Sequence, residues 1–182
     1  MANPFDPPVG NLTNSPSTQQ HREEGPPSVP CAVLTMSDTR GPGEDRSGDI
    51  VKENLLWRGH QLIAYAIVKD DPEQIEAQLE EWIARDDIHA IVTNGGTGIA
   101  RRDTTYDVVS RLLEKELTGF GELFRMLSYP EIGAAAMLSR AIAGVANRTA
   151  IFCLPGSSNA VRLGMEKLVA PELSHVVYEM TK

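Results

Sequence analysis

The sequence predicts a single three-layer α/β/α domain in which a mostly parallel central sheet is covered by helices on both faces. Three observations predict it. The length of 182 residues suits one compact domain. Short apolar runs alternate along the chain with helical patterns of about ten residues. Gly- and Ser-rich loops follow several apolar runs, at the strand ends where open α/β sheets bind ligands.

The elements follow in order from Val29. Apolar runs predict strands at residues 31–36, 60–68, 89–93 and 149–154. Helical spacing predicts helices at 49–58, from Pro72 through Ile83, after Asp103, at 119–129, at 159–169 and from Pro171 onward. Gly59 is expected to follow the end of the first helix, and Pro130 is expected to break the fourth.

Residues 1–28 differ in composition from the rest of the chain. They are rich in Pro, Asn, Ser, Thr and Gln, and their few apolar residues have no period. Such a segment buries too little apolar surface to offset the entropy of ordering, so we expect a disordered tail at 1–28 and the α/β domain at 29–182. Because no Lys or Arg precedes Arg22 and no apolar leader core is present, we expect a cytoplasmic location.

The charge and apolar content exclude several classes of protein. A formal net charge of −8 argues against general binding to nucleic acid or to anionic membranes. No run of 18 apolar residues is present that would predict a membrane-spanning helix. Cys31 and Cys153 lie in apolar runs and are expected to be buried free thiols. Trp57 and Trp82 have the spacing of helix core positions and are expected to pack inside.

The loop Gly95-Gly96-Thr97-Gly98 directly follows the third predicted strand. Glycines adopt positive φ angles and allow successive N–H groups to point into one concavity, and the Thr97 hydroxyl adds a donor for an anion. The alternative is a tight turn that needs the glycines for its geometry alone. Arg101 and Arg102 follow the loop, where guanidinium groups can neutralise the charge of a bound phosphate.

Two carboxylates are candidates for a metal site. Asp103 follows the glycine loop, and Asp70 ends the second strand, while Asp71 before Pro72 resembles a helix cap. Carboxylates on neighbouring strand ends can hold Mg²⁺ against phosphate oxygens. The alternative is that Asp70 and Asp103 each cap a helix.

Two more loops are expected to lie at the same edge of the sheet. Ser37-Asp38 follows the first strand, and Pro155-Gly156-Ser157 leads through Ser158 to Asn159 after the last strand. Their hydroxyl and carboxylate groups are candidates for ligand contacts, and the second loop precedes a helix N-terminus that favours anions. Alternatively, Ser157 or Ser158 caps that helix, and Ser37-Asp38 only starts a loop.

Several motifs together resemble the MogA/MoaB family of molybdenum-cofactor biosynthesis. They occur in the family's order from Val29 to about Met180, at residues 35–38, 67–71, 93–107, 119–125, 137–140 and 154–157. The same fold occurs in the pterin-binding domains of gephyrin and its plant counterpart, and the segment from Phe120 to Ser128 is most similar to the MoaB branch.

The resemblance implies that AMP is transferred from Mg-ATP to the terminal phosphate of molybdopterin. It implies that Asp70 and Asp103 are the catalytic, Mg²⁺-binding residues. The substrate-binding residues expected on this basis are Ser37, Asp38, Gly95, Gly96, Thr97, Gly98, Arg102, Thr105, Pro155, Gly156, Ser157 and Asn159. The resemblance also implies a trimer or a hexamer, and a metal-inserting enzyme of the pathway as a partner.

One departure from the family pattern keeps a second function open. Tyr106 stands where the catalytic branch commonly has Pro, so the chain is either an adenylyltransferase or a non-catalytic protein that binds or scaffolds the pterin. A third hypothesis is hydrolysis of nucleotide-like pyrophosphates with the same loop and Mg²⁺. The sequence does not distinguish molybdenum from tungsten as the downstream metal.

Overall fold

A computed structural model describes residue 20 and residues 24–39, 41–101 and 103–182. The described residues form a six-stranded sheet. Its strands are β1 (Pro30–Met36), β2 (Gln61–Val68), β3 (Ala90–Asn94), β4 (Lys115–Glu116), β5 (Ile142–Ala146) and β6 (Thr149–Leu154). The strand order is β2-β1-β3-β6-β5-β4.

The first four strands in this order are parallel, and the other two are not. β1 pairs in parallel with both β2 and β3, and β3 pairs in parallel with β6. β5 is antiparallel to β6, and β4 is antiparallel to β5. The mostly parallel sheet predicted from the sequence is confirmed, with an antiparallel edge that the sequence analysis did not predict.

Helices cover both faces of the sheet. They are α1 (Arg46–Trp57), α2 (Pro72–Ile83), α3 (Thr105–Leu112), α4 (Thr118–Ile132), α5 (Ser158–Gly164) and α6 (Ala170–Thr181). Two short 3₁₀ helices (Pro42–Glu44 and Gly133–Leu138) and a π-helical segment (Met165–Val169) complete the described elements. One core cluster joins α1, α4, α5 and α6 to the sheet, and the other joins α2 and α3 to the opposite face.

The predicted end of α1 and the predicted start of α2 are confirmed, whereas α1 begins at Arg46, three residues before the predicted start at 49. Asp71 accepts a hydrogen bond from the Gln74 N–H over 3.0 Å and Pro72 is the first residue of α2, where its missing N–H costs nothing. Gly59, with φ of 84°, directly follows the cap of α1. The Asp71–Pro72 signal places α2 directly after the end of β2, at the edge where the site forms, whereas Gly59 leads from α1 into the start of β2.

The predicted break at Pro130 was wrong. α4 continues through Pro130 to Ile132, because a proline in the last turn removes only one hydrogen bond near an end that is already fraying. The predicted start of the last helix at Pro171 is confirmed to within one residue, since α6 begins at Ala170 and Pro171 lies in its first turn, where its N–H is not required.

The predicted tail at 1–28 lies largely outside the described residues. In the part of this segment that the structure describes, the Ser28 hydroxyl donates to the Gly59 carbonyl over 2.8 Å, and Glu24 accepts a hydrogen bond from the Tyr178 hydroxyl. Among the described helices, none is both long and apolar enough to cross a membrane.

Candidate functional site

Four loops meet at one edge of the sheet because the strands before them are parallel neighbours. They begin after β1 at Ser37, after β2 at Lys69, after β3 at Gly95 and after β6 at Pro155. Met36 pairs with Val68, and Asn94 pairs with Leu154, so the loops start at similar heights along the sheet. The predicted gathering of these loops at one edge is confirmed.

The glycine loop turns sharply as it leaves β3. Gly95 and Gly96 have φ angles of 106° and 60°, a region that glycine adopts without strain. A Cβ on Gly95 would lie 2.4 Å from the carbonyl oxygen of Met36, and the Gly95 N–H donates to the Leu154 carbonyl over 3.1 Å. Position 95 therefore requires glycine, because the last residues of β1 and β6 both lie against it.

Asp70 lies against the second glycine of this loop. A Cβ on Gly96 would lie 2.6 Å from Oδ1 of Asp70 and 2.8 Å from its Oδ2. The Thr104 N–H donates to Oδ1 over 3.5 Å, and the Asp70 N–H donates to Oδ1 of Asp38 over 3.2 Å. Asp70 therefore does not cap α2. Asp71 caps this helix, as the sequence predicts.

The electrostatics of Asp70 favour a bound cation. Burial raises the pKa of this carboxyl, the Thr104 N–H lowers it, and the nearby charges of Asp103 and Asp38 raise it further, so the pKa lies above its ordinary value. The charges of two acidic side chains thus act on Asp70 at this edge, and a cation would relieve their repulsion.

Asp103 lies against the last glycine of the loop. A Cβ on Gly98 would lie 2.4 Å from Oδ2 of Asp103, which accepts a hydrogen bond from the Ala100 N–H over 2.9 Å. The cap of α3 is Thr104, which makes no side-chain capping bond. The alternative that Asp103 caps this helix is therefore wrong, and its carboxylate instead closes the glycine loop.

Two buried polar atoms beside the glycine loop have no hydrogen-bond partner within the described residues. They are Oδ1 of Asn94 and Oγ1 of Thr105. The Thr105 hydroxyl faces the glycine loop, because a Cβ on Gly96 would lie 2.2 Å from it. Buried polar atoms are rarely left without a partner, and such exceptions are frequent where a ligand, ion or water completes a site.

A buried carboxylate lies beneath this edge of the sheet. Asp45 is fully buried and accepts hydrogen bonds from the Thr35, Tyr65 and Ser47 hydroxyls and from the Gly48 N–H. Burial raises the pKa of Asp45, but these donors together outweigh it, so the pKa lies below its ordinary value. Asp45 thereby joins the start of α1 to β1 and β2.

Asn94 extends this network toward the glycine loop. Its Nδ2 donates to the Thr35 hydroxyl over 2.9 Å, and that hydroxyl donates to Asp45 over 2.6 Å. Because Asp45 accepts the Thr35 proton, Thr35 must accept from the amide nitrogen of Asn94. The network therefore fixes the orientation of the Asn94 amide. Its nitrogen faces Thr35, and its carbonyl oxygen has no hydrogen-bond partner among the described residues.

An arginine distant in sequence closes the loop from the other side. Nη1 of Arg140 donates to the Gly98 carbonyl over 3.2 Å, and Nη2 donates to Asp107 over 2.6 Å. The guanidinium carbon lies 4.3 Å from the ring centroid of Tyr106, within cation–π distance. Arg140 thus supports the glycine loop by two polar contacts and one aromatic contact.

The loop after β6 approaches the glycine loop closely. A Cβ on Gly156 would lie 3.0 Å from the Cα of Gly95. Ser157 caps α5 by accepting from the Ala160 N–H over 3.3 Å, and Asn159 is exposed beside it. Pro155, Gly156, Ser157 and Asn159 are therefore at the same edge as the glycine loop, and Ser157 is the cap rather than Ser158.

Asp70 and Asp103 suit a metal ion that takes its remaining ligands from a bound substrate and water. Among the described residues, no group of three or more His, Cys, Asp or Glu side chains is arranged to hold a metal ion by itself. Mg²⁺ commonly takes one or two carboxylates and completes its shell with phosphates and water. Asp70 and Asp103, both at the glycine loop, fit that donor set.

Comparisons with known proteins give the family. The family described as "Probable molybdopterin binding domain" matches residues 32–175. The chain is 53% identical over 167 residues to molybdenum cofactor biosynthesis protein B of Halalkalibacterium halodurans, covering 91% of this chain and 98% of that protein. The chain belongs to the MogA/MoaB molybdopterin-binding family.

Solved structures of this family agree with the fold. A crystal structure of molybdenum cofactor biosynthesis protein B has a TM-score of 0.82 at 50% identity, covering 85% of this chain and 96% of the other. The tungsten cofactor synthesizing protein MoaB from Pyrococcus furiosus has a TM-score of 0.79 at 39% identity, covering 86% and 99%. The resemblance to the MogA/MoaB family drawn from the motifs is therefore confirmed.

Membership in the family does not by itself give each residue a role. Most of the residues expected to bind substrate lie at this edge, but Arg102 lies outside the described residues, and Arg101 is exposed. Sequence reasoning missed Arg140, Asn94 and Asp45 as parts of the site. The signal for Asn94 was available, because a polar amide ends a strand whose residues are all buried and mostly apolar.

Other sequence predictions had mixed outcomes. Cys31 and Cys153 are buried free thiols as expected, and burial raises the pKa of each to about 12. Trp82 is buried, but the prediction for Trp57 was wrong, since 80% of its surface is exposed. Trp57 is the last residue of α1 and stacks with Arg58, with the guanidinium carbon 5.3 Å from the ring centroid.

Proposed function

We propose that this chain adenylylates molybdopterin, transferring AMP from Mg-ATP to the terminal phosphate of the pterin. The observation that carries the proposal is the pair Asp70 and Asp103, each packed against a glycine of the phosphate-binding loop. The loop lies at the carboxyl ends of parallel strands, where open α/β sheets bind ligands. Family membership supports the pterin as the substrate class.

The substrates would be held by loops from four strands. The N–H groups of residues 96–98 and the Thr97 hydroxyl would bind phosphate oxygens, and Arg102 and Thr105 would add donors. The Gly95 N–H is already bonded to the Leu154 carbonyl, so Gly95 would shape the turn. Ser37, Asp38 and residues 155–159 would line the rest of the pocket. The unpartnered Thr105 hydroxyl, which faces Gly96, supports a ligand at this point.

Asp70 and Asp103 would hold Mg²⁺, which when bound offsets the negative charge of the phosphates. The raised pKa of Asp70, caused by burial and by Asp103 and Asp38, supports this assignment because a cation would remove the repulsion. The fixed position of Asp103, held by the Ala100 N–H, keeps its carboxylate ready without reorganisation.

The transfer is an in-line displacement at phosphorus. An oxygen of the pterin phosphate attacks the α-phosphorus of ATP, the bond from that phosphorus to the bridging oxygen breaks, and pyrophosphate leaves with the electron pair. Positioning and electrostatic stabilisation dominate such reactions, and covalent catalysis by the protein is not required. The chain's contribution is therefore to orient the two phosphates and to neutralise charge around them.

A second candidate is a protein of the same pathway that binds the pterin without adenylylating it. Tyr106 favours it, because this residue stands in the first turn of α3 where the catalytic branch of the family commonly has Pro. The ring of Tyr106 packs on Arg140, which contacts the glycine loop, so the substitution reaches the site.

We further propose that the domain at 29–182 assembles as a trimer or hexamer in the cytoplasm and meets a metal-inserting enzyme. An exposed apolar face on α4 and the following 3₁₀ helix supports assembly; it comprises Leu123, Met126, Tyr129, Ile132, Met137 and Leu138. Apolar patches of this kind mark subunit interfaces. Sedimentation of the purified chain tests the assembly, and a monomer at micromolar concentration would contradict it.

The experiment that tests the function is direct. Purified protein is incubated with molybdopterin, ATP and Mg²⁺, and the products are separated to detect adenylylated pterin and pyrophosphate. We expect both products to appear together. Pterin binding without either product would support the binding-only candidate, and release of phosphate from ATP without adenylylated pterin would support the pyrophosphate hydrolase.

A further inference from the structure

A second cluster of cationic side chains lies beside the glycine loop, and the function proposed above gives it no contact with a substrate. It lines a cleft of about 260 Å³ between α4, α3 and the segment before β5. The side chains that matter for its chemistry are Arg125, Arg140, Tyr106, Thr118 and Glu116. Its volume is smaller than that of pockets for whole drug-sized ligands, and it suits a single compact group.

Arg125 brings an unpaired charge to this cleft. Its Nη1 donates to the Ser139 carbonyl over 3.3 Å, and within the described ranges no carboxylate lies at ion-pair distance from it. The side chain is half-buried. A half-buried guanidinium bound to one carbonyl keeps further N–H donors available for an anion.

Gly121 makes room for this guanidinium. A Cβ at position 121 would lie 3.0 Å from Nη1 of Arg125 and 2.7 Å from the carbonyl oxygen of Ala141. The helix therefore lacks a side chain at the point where the guanidinium lies, which leaves room for Arg125 to border the cleft.

Arg140 forms the other wall and connects the cleft to the glycine loop. Its guanidinium is oriented by Tyr106, Asp107 and the Gly98 carbonyl, so it presents its remaining N–H groups in a fixed direction. Asp107 offsets part of its charge, and the exposed Glu116 borders the cleft. Arg125 is consequently the main source of uncompensated positive charge.

We infer that Arg125 and Arg140 form a second oxyanion subsite, next to the glycine loop, that binds a phosphate group of a substrate. This inference rests on the proposed function, in which both substrates carry phosphates. The ligand chemistry is a phosphate oxyanion, and its source is either the departing pyrophosphate end of the nucleotide or the phosphate of the pterin. Tyr106 acts as a positioning residue that holds Arg140 in this subsite.

The test uses the full chain and inorganic pyrophosphate as the probe in calorimetric titrations. We expect Arg125→Gln to weaken pyrophosphate binding about tenfold, because it removes a charge-assisted interaction, and Arg125→Lys to restore part of it. Tyr106→Phe should bind as the wild type does, since the ring stays, and Tyr106→Ala should bind more weakly. The matched control is Arg111→Gln, because Arg111 is exposed on α3 and pairs with Glu76 at 3.9 Å.

Separate titrations with ATP and with molybdopterin identify the source of the phosphate. A loss for ATP alone assigns the subsite to the nucleotide, and a loss for molybdopterin alone assigns it to the pterin; both support the inference. Pyrophosphate affinity of Arg125→Gln within twofold of the wild type, with unchanged sedimentation, overturns it. Binding through Arg125 without adenylyl transfer would overturn the proposed function alone.

Discussion

Asp45 and Asp70 lie near the same edge of the sheet, yet their surroundings are opposite. Asp45 is fully buried, accepts four hydrogen bonds from the protein, and has a lowered pKa. Asp70 is half-buried, accepts a long hydrogen bond from the Thr104 N–H, and has a raised pKa. The difference indicates that Asp45 stabilises the fold, because the protein itself supplies its hydrogen-bond donors, and that Asp70 is available to bind a ligand.

The largest effect is expected at Asp103, the partner of Asp70. Asp103→Asn keeps an oxygen to accept from the Ala100 N–H but removes the charge. We expect adenylyl transfer to fall by about 10²- to 10³-fold, the loss typical of removing a preorganised electrostatic group, with oligomeric state and melting temperature unchanged. Turnover is measured with molybdopterin and Mg-ATP. Unchanged turnover would show that the carboxylate only shapes the loop.

Asp45 should instead affect stability. Asp45→Asn turns an amide toward hydroxyl and N–H donors that need an acceptor, so we expect a loss of about 3 kcal/mol in the free energy of unfolding. The matched control is Asp49→Asn on the same helix, which disrupts a surface pair with Lys52 at 2.8 Å and should cost less than about 0.5 kcal/mol. Urea denaturation measures both, and equal losses would contradict the structural role of Asp45.

The stability provided by Asp45 should depend on pH. Its pKa in the folded state is below the unfolded value of about 3.9, so the ionised carboxylate stabilises the fold above that pH. The contribution is lost as the pH falls through the folded pKa. The stability gap between wild type and Asp45→Asn should therefore be full at pH 7 and narrow at pH 3. A stability difference that is constant between pH 7 and pH 3 would mean that the charge of Asp45 does not stabilise the fold.

A smaller effect is expected at Asp71, which caps α2 beside Asp70. Asp71→Ala removes the bond to the Gln74 N–H, and we expect it to lower the free energy of unfolding by about 1 kcal/mol. Adenylyl transfer should stay close to the wild-type rate. A large loss of transfer by Asp71→Ala would reverse the roles given to the two neighbouring aspartates.

Signals within a few residues predicted much of this molecule. The apolar runs predicted the four parallel strands, and Asp71-Pro72 and Gly59 predicted helix ends, because each signal acts through its neighbours in the chain. The two-residue β4 and the Gly-containing β5 were missed, since neither has enough β-branched or alternating residues to be distinguished from a loop. Pro130 was misjudged because its cost depends on its distance from the helix end.

The site was predictable in part for the same reason. Asp70, Asp103 and the glycine loop lie at strand ends and could be found from local pattern. Arg140 could not, because it reaches Gly98 from 42 residues away and only the fold brings them together. Asp45 was not found either, because its contact with Tyr65 depends on the pairing of β1 with β2.

The contrast between Asp45 and Asp70 is tested most directly by measuring both the free energy of unfolding and the turnover of Asp70→Asn. The asparagine still accepts from the Thr104 N–H but no longer repels Asp103 and Asp38. We predict stability equal to the wild type or higher, with any gain below about 1 kcal/mol because solvent screens this half-exposed group, and a loss of adenylyl transfer. A destabilised Asp70→Asn that retains wild-type transfer would show that Asp70, like Asp45, serves the fold.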